Sequence, residues 1–142
     1  MVMKAPGFAR IIGVVFLFVG ALGFAPWATM PAPLSAEYIN LSTSYGMIFG
    51  IFPVNAVHDL IHIAIGGWGV LASFGFKGSV LYLRTVACFY LLLVVLGAIP
   101  ITNTLFGAVP IYGWDVGLHL VVALVALYGG FGAGSLEPVE GF

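Results

Sequence analysis

Charged side chains are scarce in this sequence of 142 residues. Asp, Glu, Lys and Arg together make up 6% of it, against 62% hydrophobic residues, whereas soluble domains carry about 25% charged residues. A chain this poor in polar groups cannot cover its apolar side chains in water, which argues against a soluble globular domain. We expect an integral membrane protein whose first partner is the lipid bilayer.

Cysteine and basic residues are also few. Cys88 is the single cysteine, so no disulfide can form within the chain. The net charge of −1 and the lack of a Lys/Arg cluster argue against nucleic-acid binding. No serine or cysteine lies in a motif that would activate it as a nucleophile, and no glycine-rich phosphate loop follows a strand. The sequence therefore favours a protein that is not an enzyme.

Long apolar stretches take up most of the chain. A spanning helix needs about 20 apolar residues, and four such stretches lie at about 8–27, 55–74, 80–99 and 113–131. Asn55 is a good N-cap for the second of them. The polar segment 35–45 is interpreted as a short interfacial helix, and the tail 132–142 is expected to be loose. The predicted fold is all-α, a bundle of four transmembrane helices in a single domain, 1–142.

The basic residues predict the orientation of these helices. Lys4 and Arg10 lie at the start of the first helix, and Lys77 and Arg84 flank the turn between the second and third. Basic residues accumulate on the cytoplasmic side of membrane proteins, so both termini are predicted to be cytoplasmic. The sequence leaves open whether the membrane is a bacterial inner membrane or a thylakoid membrane.

The two halves of the chain resemble each other. One set of residues recurs 57 positions later (48 to 105): Ile48-Phe49-Gly50, Pro53 and His62 correspond to Leu105-Phe106-Gly107, Pro110 and His119. The recurrence predicts two tandem helical hairpins of the same orientation, related by an axis along the membrane normal. The second and fourth helices would then be equivalent partners, with small residues at their contact. These small residues are Gly66, Gly67, Gly69, Ala123 and Ala126.

All three histidines take part in one repeated spacing. His58 and His62 are four residues apart, as are Asp115 and His119, and residues at this spacing share one face of a helix. Pairing of the hairpins would bring three imidazoles and one carboxylate together near the outward ends of the second and fourth helices. Ionisable groups inside a membrane are costly and mark candidate functional sites. Asp59 lies about 100° further round the helix than His58 and is not expected to join them.

Three interpretations of this cluster are open. The histidines can be neutral groups that hydrogen-bond across the helix pair. They can bind a divalent metal such as zinc through His58, His62, Asp115 and His119, because imidazole nitrogens and a carboxylate oxygen suit such an ion. They can also hold a large cofactor, with His62 and His119 as axial ligands of haem or one of them on the magnesium of a chlorophyll.

Two segments resemble the signature of a known family. They are Gly50-Ile51-Phe52-Pro53-Val54-Asn55 followed by His58-Asp59-Leu60-Ile61-His62, and the pair Asp115 and His119. These segments are similar to the motifs of a family of small bacterial and cyanobacterial four-helix membrane proteins, catalogued only as a domain of unknown function. Asp59 departs from the Asn of that pattern. The resemblance implies the fold and draws attention to the histidines, and it implies no activity.

Two functional hypotheses follow. Because little of the chain lies outside the bilayer and no catalytic set is apparent, we predict an accessory or stabilising subunit of a larger membrane complex. The alternative is a metal- or cofactor-binding membrane protein that uses the outward His/Asp cluster. A transporter or proton relay is disfavoured, since no unwound, charged segment interrupts the four helices.

Overall fold

The computed structural model describes residues 3–132 and 135–136. Helices and short strands follow one another in this order: α1 (Ala5–Gly23), β1 (Thr29–Pro31), β2 (Gly46–Ile48), β3 (Phe52–Val54), α2 (Ala56–Ala72), α3 (Phe76–Ala98) and α4 (Trp114–Phe131). The four predicted helices are confirmed. Nearly all of the tail predicted for 132–142 lies outside the described residues.

Three of the helices are long and apolar enough to cross a membrane, namely α1 with 19 residues, α3 with 23 and α4 with 18. Helix α2 is also apolar but has only 17 residues. At about 1.5 Å per residue it is about 25 Å long, shorter than a hydrocarbon core of about 30 Å. The predicted span 55–74 extends slightly past this helix at both ends, because Asn55 is its N-cap and Ser73 its C-cap.

Helix α1 begins and ends earlier than predicted. Pro6 lies in its first turn, where a missing N–H costs nothing. At the other end Pro26 disfavours the helical conformation for the residue before it, and the helix stops at Gly23 rather than near Trp27. Helix α3 begins at Phe76, directly after its N-cap Gly75, so the connection from α2 is only three residues long, 73–75.

The loop between α1 and α2 contains a sheet that the all-α prediction lacks. Strand β2 pairs antiparallel with β1 on one side and β3 on the other, with Ile48 opposite both Thr29 and Phe52. The segment predicted as an interfacial helix, 35–45, forms turns and irregular chain instead. Its serine, threonine and asparagine side chains favour turns because they compete for local backbone hydrogen bonds.

Helix α1 packs along α2, and α3 packs along α4. Close approach of α1 and α2 depends on glycine, since a Cβ added to Gly66 would lie 2.7 Å from the backbone nitrogen of Leu17. Gly69 faces Tyr82 of α3, and a Cβ on Gly67 would meet nothing within 4 Å. The expectation that these glycines contact α4 is wrong. Within the described chain, α2 and α4 do not pack along each other.

The two segments of the predicted repeat share a backbone feature. Phe49 and Gly50 have φ angles of 49° and 71°, and Phe106 and Gly107 have φ angles of 59° and 85°. Positive φ is easy for glycine and unusual for a bulky residue. Strands flank the first segment, whereas the second lies among turns. The internal repeat and its symmetry axis stay predictions.

The two ends of the bundle differ in chemistry. Arg10 donates from Nε to Oγ of Ser73 at 3.4 Å, and Arg84 donates from Nε to the Gly130 carbonyl at 2.8 Å. Both arginines therefore lie beside the C-terminal ends of α2 and α4. The histidines lie beside the N-terminal ends of the same helices, so the basic residues and the candidate site are at opposite ends.

Candidate metal centre

Asn55 fixes the start of α2. Its Oδ1 accepts a hydrogen bond from the backbone N–H of His58 at 2.9 Å, which is the N-cap that the sequence predicts. Its Nδ2 donates to the carbonyls of Leu41 and Ala108, both at 2.8 Å. One buried side chain thus joins the start of α2 to the loop before it and to the loop between α3 and α4. It also sets which face of the helix, including His58, turns inward.

A tyrosine pair also joins these two loops. The hydroxyls of Tyr45 and Tyr112 are 2.6 Å apart, and Tyr45 donates to the Glu37 carbonyl at 2.9 Å. Burial, together with the hydrogen bond to Tyr112, raises the pKa of Tyr45 above its ordinary value. Tyr45 therefore stays protonated over the physiological range, and its hydrogen bonds hold the loop ends together.

Helix α4 begins after a sharp turn. Gly113 adopts a φ of 67°, and Asp115 follows in the first helical turn, where the helix dipole favours a carboxylate. The preceding residues Pro110 and Ile111 are buried, and the backbone N–H of Ile111 bonds the Asn103 carbonyl at 2.9 Å. This anchored turn directs Asp115 toward the interior.

The structure brings the three predicted histidine ligands together and places Asp115 beside two of them. One ligand nitrogen from each of His58, His62 and His119 lies within 4.8 Å of the other two. Oδ2 of Asp115 is 3.3 Å from Nε2 of His119 and 4.0 Å from Nε2 of His58. None of the four residues is more than 4% exposed. Residues from two helices that do not pack along each other therefore meet in one buried cluster.

Helices α1 and α3 supply an aromatic frame that sequence reasoning did not identify. The ring of Phe16 stacks on His62 with centroids 5.3 Å apart, and Tyr90 meets His119 edge-on at 5.0 Å. Phe16 and Tyr90 also stack on each other at 5.3 Å. These contacts fix the planes of two imidazoles. Nothing in the sequence distinguishes Phe16 and Tyr90 from the many other apolar-face aromatics.

Several polar atoms of the cluster are buried without a hydrogen-bond partner in the described part of the chain. They are Nδ1 of all three histidines, Nε2 of His119 and Oδ2 of Asp115. Buried polar side-chain atoms are nearly always paired, since burial without a partner costs free energy. In the described chain the three Nδ1 atoms have no partner, and Nε2 of His119 and Oδ2 of Asp115 lie 3.3 Å apart without hydrogen-bond geometry. The cluster therefore has polar atoms available to a ligand.

A small cavity of about 30 Å³ lies between the three imidazoles, with apolar walls that include Leu93 and Ile111. A cavity needs only about 10–15 Å³ to hold a water molecule, so a metal ion fits. Haem or chlorophyll does not fit, because even ordinary small-molecule sites measure roughly 300–1,000 Å³. The interpretation of His62 and His119 as axial ligands of a macrocycle is therefore not supported by the space between them.

Asp59 lies outside the cluster, on the face of α2 that meets α1. It is fully buried, and both of its carboxylate oxygens lack a hydrogen-bond partner among the residues described. A Cβ on Gly23 would collide with this carboxylate, so the end of α1 packs directly on Asp59. The Asp59 side chain points away from the cluster because it lies one residue, about 100°, further round the helix than His58.

These features define a class of protein: a small four-helix chain with apolar helices and a buried His/Asp cluster at one end. The chain belongs to the family described as the domain of unknown function DUF4383, which matches residues 7–132. Membership of an uncharacterised family, which the resemblance implied, is thereby confirmed. Comparisons with curated proteins and with solved structures find no match.

Proposed function

We propose that this chain is an integral membrane protein that holds one divalent first-row metal ion, best suited to zinc, among His58, His62, Asp115 and His119. The observation that carries the proposal is the convergence of three buried imidazole nitrogens within 4.8 Å of one another. Neutral imidazole is the commonest metal ligand among side chains, and three of them with a carboxylate make a complete tetrahedral set.

The spacing of the nitrogens is close to that of a ligated site. With zinc–nitrogen bonds of about 2.0–2.1 Å, tetrahedral ligand atoms lie about 3.4 Å apart. Nitrogens up to 4.8 Å apart therefore need only small rotations of the rings toward a common centre. Asp115 lies beside His119 and His58, where it can act as the fourth ligand.

A site closed by four protein ligands favours a structural or sensory role over catalysis, since catalytic zinc keeps a position open for water or substrate. Helices α2 and α4 do not pack along each other in the described chain. A metal held by both would therefore add a link between these helices where their side chains meet at the cluster. We propose that the ion fastens the two hairpins at this end of the bundle.

The proposed setting is a bacterial inner membrane or a thylakoid membrane, with both termini cytoplasmic. Support comes from the separation of charges, because Arg10 and Arg84 lie at the end of the bundle opposite the histidines. By the positive-inside rule the arginine end faces the cytoplasm. The metal centre then lies near the outward surface.

The test is metal analysis of protein purified in mild detergent and re-equilibrated with Zn²⁺, by inductively coupled plasma mass spectrometry. We expect about one ion per wild-type chain and its loss in His62→Ala and in His119→Ala. Leu93→Ala is the matched control, since it removes a wall of the same cavity and no ligand. Wild-type protein that takes up no metal, or histidine variants that keep it, would overturn the proposal.

The second candidate is an accessory subunit of a larger membrane complex. Exposed apolar side chains on the outward loops favour it: Leu34 is fully exposed, and Tyr38 and Phe106 are each 79% exposed. A partner that covered these side chains would remove them from water. Co-purification of stoichiometric partners in mild detergent is expected, and a clean monomer or homo-oligomer contradicts this role.

A further inference from the structure

A second, larger cavity adjoins the His/Asp cluster. It measures about 200 Å³, and its walls are apolar side chains from α1, the sheet and α4, among them Val19, Phe49, Phe52 and Leu118. His62 and Asp115 form its polar end. We call it the apolar pocket. Its position between a hydrophobic wall and two buried polar groups suits an amphiphilic molecule.

The volume of the apolar pocket fits one six-membered ring. An apolar cavity of about 150 Å³ is known to bind benzene, so about 200 Å³ holds such a ring with a small substituent. Phe49 and Phe52 offer aromatic faces and edges against which a planar ring can pack.

The polar end of the apolar pocket favours a ring that carries an oxygen atom. Nδ1 of His62 and Oδ2 of Asp115 are both buried and have no hydrogen-bond partner within the described chain, and both residues are at least nine-tenths buried. A carbonyl or hydroxyl oxygen accepts a hydrogen bond from an imidazole N–H, and a hydroxyl donates to a carboxylate. A plain hydrocarbon would leave both groups unpaired, at a cost in free energy.

The rim of the pocket gives the ligand a route to lipid. Phe49 is 52% exposed, and Trp27 lies beside it with ring centroids 6.5 Å apart. Val19 and Leu118, on α1 and α4, are half-buried. A hydrocarbon tail on the ring would leave the pocket past the exposed side chain of Phe49.

We propose that the apolar pocket binds a lipid-soluble ring compound that carries a hydroxyl or carbonyl oxygen, which is the chemistry of a quinol or quinone head group. A hydroxyl oxygen accepts a hydrogen bond from His62 and donates one to Asp115, whereas a carbonyl oxygen bonds His62 alone. The ring packs against Phe49 and Phe52, and the tail extends into the membrane. The pocket shares His62 and Asp115 with the metal centre, so the ring oxygen and the ion compete for these two side chains. Ring binding therefore does not require the ion.

The experiment measures quenching of tryptophan fluorescence by 2-decyl-1,4-benzoquinone in detergent, with competitors at equal mole fraction. Trp68→Phe and Trp114→Phe form the background, so that Trp27 beside the rim is the reporter. Val19→Phe fills the pocket, and Val15→Phe is the matched control, one turn earlier on the exposed face of α1.

We expect saturable quenching in the background protein and in Val15→Phe. In Val19→Phe the affinity should fall by about tenfold or more, because the larger side chain occupies the space of the ring. 4-Decylphenol is expected to displace the quinone. Decylbenzene, which lacks the oxygen, should displace the quinone only at a concentration about tenfold higher. The loss of one hydrogen bond to a charged group predicts a difference of this size.

Equal quenching in Val19→Phe would overturn the proposal, and so would equal competition by decylbenzene. If hydroquinone, which has no hydrocarbon tail, displaced the quinone as effectively as 4-decylphenol does, the claim that the ligand is lipid-soluble would be overturned. Repeating the titration after chelation separates the two proposals. Ring binding without any metal uptake would contradict the metal centre and support the ring site. Metal uptake without ring binding would contradict the ring site and support the metal centre.

Discussion

Nε2 of His119 lies 3.3 Å from Oδ2 of Asp115, one turn earlier on α4. The two residues share one face of the helix, and His58 of α2 approaches the same oxygen to 4.0 Å. Asp115 is therefore the group that touches histidines from both helices. Its role decides how the cluster holds a cation.

Replacement of Asp115 by Asn should weaken zinc binding by about 10- to 100-fold, since loss of a carboxylate ligand or of its orienting bond has effects of this size. Asp59→Asn is the matched control, because Asp59 is equally buried but packs on α1. Competition with a chromophoric chelator measures both affinities. An equal loss in the two variants would show that buried charge, rather than the position of Asp115, matters.

Gly66→Ala should destabilise the fold by about 1–3 kcal/mol through overpacking. Its new Cβ would lie 2.7 Å from the Leu17 nitrogen and 2.8 Å from the Gly13 carbonyl, and backbone atoms cannot move aside cheaply. Gly67→Ala, one residue further on, meets nothing within 4 Å and should be neutral or slightly stabilising. Thermal unfolding in detergent distinguishes them, and equal melting temperatures would contradict the close α1–α2 contact.

Gly23→Ala should be destabilising because the methyl group collides with the Asp59 carboxylate. In an Asp59→Ala background the collision is gone, so the same change should cost much less. The double-mutant cycle should give a coupling free energy of about 0.5–3 kcal/mol. Additive effects of the two changes would mean that Asp59 does not pack on the end of α1.

Asn55→Ala should destabilise the protein by about 2–4 kcal/mol, since it removes a helix cap and two buried hydrogen bonds. Asn55→Asp keeps the cap but sets a carboxylate oxygen against the carbonyls of Leu41 and Ala108. Both variants should therefore lose stability and zinc affinity together. A stable Asn55→Asp protein would show that the cap alone holds the start of α2.

Cysteine labelling tests the predicted orientation. In a Cys88→Ala background, a membrane-impermeant maleimide should label Leu34→Cys in intact cells, because Leu34 is fully exposed on the predicted outward loop. Gly75→Cys, in the turn between α2 and α3, should be labelled only after the membrane is permeabilised. The opposite pattern would place both termini outside.

Local sequence signals predicted the helices well. Apolar runs and prolines located all four, and Asn55 was identified as the cap of α2 from its residue type and position. The first loop was predicted poorly. Strands of three residues give almost no periodic signal, so the sheet and the irregular segment 35–45 were missed.

The candidate site was likewise predicted only in part from the sequence. The i, i+4 spacing placed His58 with His62 and Asp115 with His119, because a helix turns once in about 3.6 residues. Spacing along one helix says nothing about which helix lies opposite. Gly66 and Gly69 of α2 were assigned to α4 and instead face α1 and α3. The aromatic frame of Phe16 and Tyr90 was not predicted at all.

The sequence by itself determined the apolar character of this protein, its four helices and the face of each helix that carries the histidines, since these depend on residue type and on short-range periodicity. Only the tertiary structure decided that Asp59 packs on the end of α1, that three imidazoles converge within 4.8 Å, and that an apolar pocket ends on His62 and Asp115. Those features depend on contacts between residues far apart in the chain. No local pattern encodes them.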